Sequence, residues 1–172
     1  MEDVGADCLV SIDTTDVPIE EPKPFSKKWY SHKFQGAGLR YEIAVSIKKG
    51  HIVWVHGPFP CGSYPDISIF RHTLKHYLEE NERVEADNGY NGEQPMFCKT
   101  PGGFSSRAEG AEARLVRRRL RSRHETVNKW IKDFGILSQV YRHNLIDHCH
   151  VFRAVVVLTQ LAIENGEPLF EI

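Results

Sequence analysis

The chain has 172 residues, one domain's worth, and its 41% hydrophobic and 26% charged residues exclude a disordered polypeptide. Twenty-two Lys and Arg against 23 Asp and Glu leave a net charge of −1, which by itself argues against a nucleic-acid-binding domain. No apolar run of about 18 residues is present, so no transmembrane helix is expected. The acidic start, Met1–Asp7, is wrong for a secretory or mitochondrial leader.

In chain order, Cys8 to Ile12 reads as a short strand ending in the acids Asp13 and Asp16. Residues 17–35, with Pro18, Pro22 and Pro24, read as an extended loop. Tyr41–Ile47 and His51–Val55 are β-rich runs joined by Lys48-Lys49-Gly50, a hairpin signal. Gly57–Tyr64 reads as loop, and Pro65-Asp66 opens a helix with Asp66 as its N-cap. Ile67, Ile69, Phe70, Leu74, Tyr77 and Leu78 supply that helix's apolar stripe. Val84–Asp87 is a second short strand ending in an acid, followed by an Asn88-Gly89 turn; Pro95–Lys99 is a weak strand signal.

From Glu109 to Phe134 the apolar residues Val116, Leu120, Val127, Ile131 and Phe134 fall at spacings of 4, 7, 4 and 3, one face of a long helix. A last helix covers His148–Glu164, apolar nearly throughout, and Asn165-Gly166 stops it. The order predicts an α/β fold, a mixed sheet flanked by helices.

Asp13 and Asp87 end strands, where sites gather in open α/β sheets. Glu125 lies on the long helix, about 200° from Val127 and so away from the apolar stripe. Three carboxylates meeting there would suit hard divalent ions, Mg²⁺ or Mn²⁺, and two such ions can drive phosphodiester cleavage. Each acid also has a plain role: Asp13 and Asp87 as turn residues, Glu125 as a solvated helix acid. Glu125 sits in an unusual neighbourhood, because residues 114–132 hold six Arg and two Lys against this single acid. Arg118, Arg121, Glu125, Lys129 and Lys132 share one helical face at spacings of 3, 4, 4 and 3. With Arg123, these bases are suited to gripping a phosphate backbone, so the near-neutral net charge averages over unlike segments: residues 1–22 contain no Lys or Arg at all.

Several segments together resemble the catalytic domain of PIF/Harbinger-type transposases, DDE-superfamily endonucleases. They are Ile12-Asp13-Thr14-Thr15-Asp16 with Pro22, Tyr30-Ser31-His32-Lys33, the loop Gly57–Asp66 followed by Phe70, Ala86-Asp87-Asn88-Gly89-Tyr90, and the Arg-rich helix bearing Glu125. The resemblance implies an RNase H-like fold over residues 1–172. It implies catalytic, metal-holding Asp13, Asp87 and Glu125 with two Mg²⁺ (or Mn²⁺), and DNA cleavage with strand transfer in the nucleus. Asp66 is then a helix cap or a support for the ligands, with metal contact as the other reading. The family's N-terminal helix-turn-helix region is not recognisable here, so a separate DNA-binding protein of the same transposon is an expected partner, and an oligomer is compatible. The alternative is a transposon-derived module that binds DNA or protein without catalysis.

The cysteines, Cys8, Cys61, Cys98 and Cys149, form no C-x-x-C pair, which argues against a paired-cysteine zinc site and a disulfide framework. Reduced thiols fit the cytoplasm or nucleus. His143, His148, Cys149 and His150 cluster locally, but His148 and His150 cannot share a helical face, and a helix-start role is the simpler reading. Trp54 is expected in the core; Trp29 is open to packing or base stacking.

Overall fold

The computed structural model describes residues 8–79, 82–93, 98–99 and 111–172. Its centre is the strand pair β1 (Cys8–Pro18) and β3 (Gly36–Ser46), antiparallel over Val10–Pro18. On the outer side of β3 lie β4 (Ile52–Pro60) and the two-residue β2 (Tyr30–Ser31), both antiparallel to it. On the other side of β1, β5 (Arg83–Glu85) and then β6 (Cys98–Lys99) run parallel. The order β4-β3-β1-β5-β6 makes the sheet mixed, as the element pattern predicted.

Alternation along β1 and β3 sorts their side chains between two cores. Val17, Tyr41, Ile43 and Val45 meet Val127 and Ile131 of α2 (Ala111–Asp133) and Phe152, Val155 and Ile163 of α4 (His148–Glu164). The short α3 (Gly135–Ser138) adds Leu137 to this layer. Ile12 and Ala44 face the opposite way, onto Phe70 of α1 (Asp66–His72), Leu74 and Tyr90.

Several strand and cap boundaries differ from the sequence expectation, for identifiable reasons. β1 does not stop at Ile12; it continues through Asp13 to Pro18 because β3 pairs with it all the way, so Asp13 is a mid-strand residue. The segment expected as loop from Gly57 belongs to β4 as far as Pro60. Gly57 makes that path possible: its φ is +142°, and a Cβ there would stand 2.6 Å from the Tyr41 ring. Within residues 17–35 the chain forms a 3₁₀ turn (Lys27–Trp29) and β2. Asp66 is not the N-cap of α1; Pro65 holds that place, and Asp66 spends its carboxylate elsewhere. The long helix and the C-terminal helix appear where the periodicity put them. Residues 95–97 of the weak strand segment lie outside the described residues, and Cys98–Lys99 form β6.

Candidate active site

The acids gather around the middle of β1. Asp13 is half-buried, and its Oδ1 accepts the Thr14 amide at 2.7 Å. Burial raises its carboxyl to about 6; Lys33 and the Thr14 amide oppose the rise, while Asp87 and Asp66 add to it. Asp13 is therefore within electrostatic reach of both Asp66 and Asp87. Asp87 follows β5 and caps a 3₁₀ turn (Asn88–Tyr90), accepting the Gly89 amide at 2.7 Å. Asp66 opens α1, and its Oδ1 accepts from Thr14 Oγ1 at 2.8 Å and from Arg40 Nη1 at 2.9 Å.

Gly89 lies between Asp66 and Asp87. A Cβ there would stand 2.8 Å from Asp66 Oδ2 and 2.9 Å from Asp87 Oδ1. Its φ is not positive, so the absence of a side chain serves space and not backbone conformation. The result is a small cradle walled by two carboxylate oxygens. The next residue, Tyr90, is fully buried, and its hydroxyl has no hydrogen-bond partner among the described residues. Burial raises that hydroxyl's proton affinity well above the ordinary value, and Glu42, Asp66, Asp13 and Asp87 raise it further. Glu42 is also buried; its Oε2 accepts from Thr73 Oγ1 at 2.8 Å and Trp54 Nε1 at 3.1 Å, and its Oε1 has no hydrogen-bond partner among the described residues. Burial outweighs those two bonds and lifts its carboxyl to about 7.

A second group of residues supports the cluster. Asp16 is buried and receives Arg40 Nε at 2.7 Å, Arg40 Nη2 at 3.0 Å and Ser31 Oγ at 2.6 Å. Burial works against its charge, but these donors outweigh it and hold the carboxyl below its ordinary value. Lys33 Nζ donates to Thr14 O at 3.1 Å, beside Asp13. Arg40, Thr14 and Lys33 were not picked out individually from the sequence. The signal was present but needed register: Asp16 stands directly across from Arg40, and Thr14 across from Glu42.

Glu125 lies on α2 with its side chain 66% exposed, 3.5 Å from Arg121. Among the described residues no group of three or more His, Cys, Asp or Glu is arranged to hold a metal ion. The cradle between Asp66 and Asp87 nevertheless has the chemistry of a hard-cation site, being all oxygen and rich in negative charge. Asp66 and Asp87 supply the oxygens that wall it, Asp13 is within electrostatic reach of both, and Glu125 is engaged with Arg121.

The basic face of α2 divides in two. Arg118, Arg121 and Lys129 are exposed. Arg123 is not available to a phosphate backbone: it is 1% exposed, donating from Nη1 to Ile47 O at 2.7 Å and to Ser46 O at 3.3 Å, and from Nη2 to Phe170 O at 2.5 Å. It fastens the β3–β4 turn and the C-terminal tail to α2, on the inward side set by neighbouring His124 and Val127. Lys132 is half-buried; burial and Lys33 lower its proton affinity, against Asp16 and Asp13. It belongs to the surroundings of the acid cluster.

Of the local His cluster, His148 is a core residue. Its Nδ1 lies 2.6 Å from Tyr41 Oη, and burial lowers its pKa to about 4. His143 and His150 are exposed. Trp54 is partly buried against Ala44 and Phe70, and Trp29 packs at the edge of the α2/α4 core.

Comparison with known proteins gives the chain's family. Residues 12–160 match the family model described as DDE superfamily endonuclease. The chain is 34% identical over 144 residues to the probable transposase for insertion sequence element IS702 of Microchaete diplosiphon, covering 78% of this chain and 50% of that protein. The chain thus spans about half the length of the curated relative it matches. No solved structure matches it. The family match runs from within the strand bearing Asp13 into α4 and covers most of the chain, so this chain belongs to the DDE superfamily endonuclease family.

Proposed function

We propose that this chain is the catalytic domain of a metal-dependent DNA endonuclease of transposase type, hydrolysing phosphodiester bonds at transposon ends, with PIF/Harbinger as its subtype. The observation that carries this reading is the convergence of Asp13, Asp66 and Asp87, with Gly89 leaving open the space between two of them. An RNase H-like reading of the fold is supported by the strand pattern: three antiparallel strands continued by two parallel ones, with the first acid on the central strand.

In this reading Asp13, Asp66 and Asp87, joined by Glu125, hold Mg²⁺ or Mn²⁺. These residues would hold the ion, whose chemistry there would be activation of a water and stabilisation of the leaving 3′ oxygen. The chain's own residues prepare that state. Burial makes ionised Asp13 costly, so a cation at the cluster is favoured over solvent. Thr14 and Arg40 fix Asp66, and the Gly89 amide fixes Asp87. Exposed Arg118, Arg121 and Lys129 grip the DNA backbone along α2, while Lys33 and Lys132 lie closer to the reacting phosphate. A separate DNA-binding protein would supply sequence recognition.

The test is cleavage of a labelled terminal-repeat duplex by the purified chain with Mn²⁺ or Mg²⁺. The reading requires divalent-dependent product that Asp87→Asn abolishes. A folded wild type that never cuts, alone or with its DNA-binding partner, overturns the enzymatic reading. The second reading, a module that binds DNA without cutting it, draws on one observation: Glu125 is engaged with Arg121 and turned to solvent. It predicts salt-sensitive DNA binding with no calorimetric Mn²⁺ signal.

A further inference from the structure

We infer that Arg40 is a positioning residue for the carboxylate cluster: anchored on Asp16, it holds Asp66 Oδ1 so that Oδ2 faces Asp87 across Gly89. The inference rests on the proposed reading of that cluster as a cation site. It starts from strand register, which sets Arg40 on β3 directly opposite Asp16 on β1. The planar guanidinium meets Asp16 side-on, Nε to Oδ1 at 2.7 Å and Nη2 to Oδ2 at 3.0 Å. A two-point contact of this kind fixes the plane of the group as well as its place. Asp16 is itself fixed by Ser31 Oγ at 2.6 Å.

The remaining nitrogen, Nη1, is thereby aimed. It donates to Asp66 Oδ1 at 2.9 Å and to the Tyr64 carbonyl at 3.1 Å, so it ties down both the start of α1 and the loop before it. Thr14 Oγ1 donates to the same Asp66 oxygen at 2.8 Å. Both donors end on Oδ1, which leaves Oδ2 as the oxygen that walls the cradle with Asp87. A purely structural ion pair between Arg40 and Asp16 accounts for Nε and Nη2. It does not account for Nη1, or for two independent donors converging on one oxygen of an acid at the rim of the site. Groups that orient metal ligands in this way commonly change metal affinity by about 10–100-fold when removed.

The experiment is calorimetric titration of the full chain with Mn²⁺ alone. Arg40→Gln would strand Asp16 as a buried charge and could unfold the chain, so it is made in an Asp16→Asn background, where no charge is stranded. Measured against Asp16→Asn alone, the added Arg40→Gln should weaken Mn²⁺ binding at least about tenfold. A merely structural role would weaken binding whether or not Asp66 is present. The same Arg40→Gln change is therefore repeated with Asp66→Asn, where it should cost less than about twofold. Equal losses in the two backgrounds, or no loss in the first, overturn the inference. If wild type shows no Mn²⁺ signal, or Asp87→Asn binds as tightly as wild type, the cation-site reading itself fails and this inference falls with it.

Discussion

Asp13→Asn should make the protein more stable while removing its metal response. The carboxyl is lifted from 3.8 to about 6, first by burial, with Asp87 and Asp66 adding repulsion. Each unit corresponds to about 1.4 kcal/mol, so ionised Asp13 costs the fold at most about 3 kcal/mol. Its partial exposure to solvent argues for discounting this to about 2 kcal/mol. Asparagine keeps the Oδ1 acceptor for the Thr14 amide and removes the charge. The sign follows from the folded value lying above the unfolded one: stability is highest at low pH, falls as pH rises from about 4, and levels off once pH passes about 6. The variant should match wild type near pH 4 and exceed it by about 4–8 °C in Tm at pH 7.5, judged by the entropy of unfolding for a chain of this size. Melts at both pH values, with and without Mn²⁺, provide the assay. Mn²⁺ at about 100 times its Kd should return about 2.7 kcal/mol to wild type and nothing to the variant. A variant less stable than wild type at pH 7.5, or a difference that does not change with pH, would refute the burial argument.

Other outcomes follow from the same geometry. Gly89→Ala should fold normally, since its φ is ordinary, yet weaken Mn²⁺ binding at least about tenfold because the new methyl meets Asp66 and Asp87 within 3 Å; calorimetry and circular dichroism together check it. Glu42→Gln should raise stability above pH 7 and have little effect below about pH 4, because burial lifts that carboxyl to about 7; urea titrations across this range measure it. Arg123→Met should cost about 3 kcal/mol or more by abandoning backbone carbonyls that the guanidinium now satisfies, as urea unfolding would record. Arg121→Ala, at a side chain 75% exposed, should leave stability unchanged and lower the salt slope of DNA binding by about one.

The division of α2 shows how far a helical wheel reaches. Periodicity located the helix and its apolar stripe, because Leu120, Val127 and Ile131 repeat at helical intervals and are buried together. It could not separate Arg121 from Arg123. These two lie on opposite sides of the helix, and only the approach of the β3–β4 turn and the C-terminal tail makes one side an interior lined with carbonyls. Asp66 teaches the same lesson. Its place before an apolar stripe marked a helix start, but its carboxylate is claimed by Thr14 and Arg40, residues 52 and 26 positions away in the chain.

The sequence by itself determined the long helix, the C-terminal helix, the hairpin and the presence of the central strand, and it singled out Asp13 and Asp87 as candidates, because these depend on local periodicity, turn chemistry and motif order. Only the tertiary structure decided that β1 runs on through Asp13, that Asp66 joins Asp87 around Gly89, and that Arg40 is built into the cluster. Those facts depend on strand register and on which face of each element is covered. The physical reason is the same in each case: a buried charge needs a partner, and the partner comes from whichever segment the sheet brings alongside.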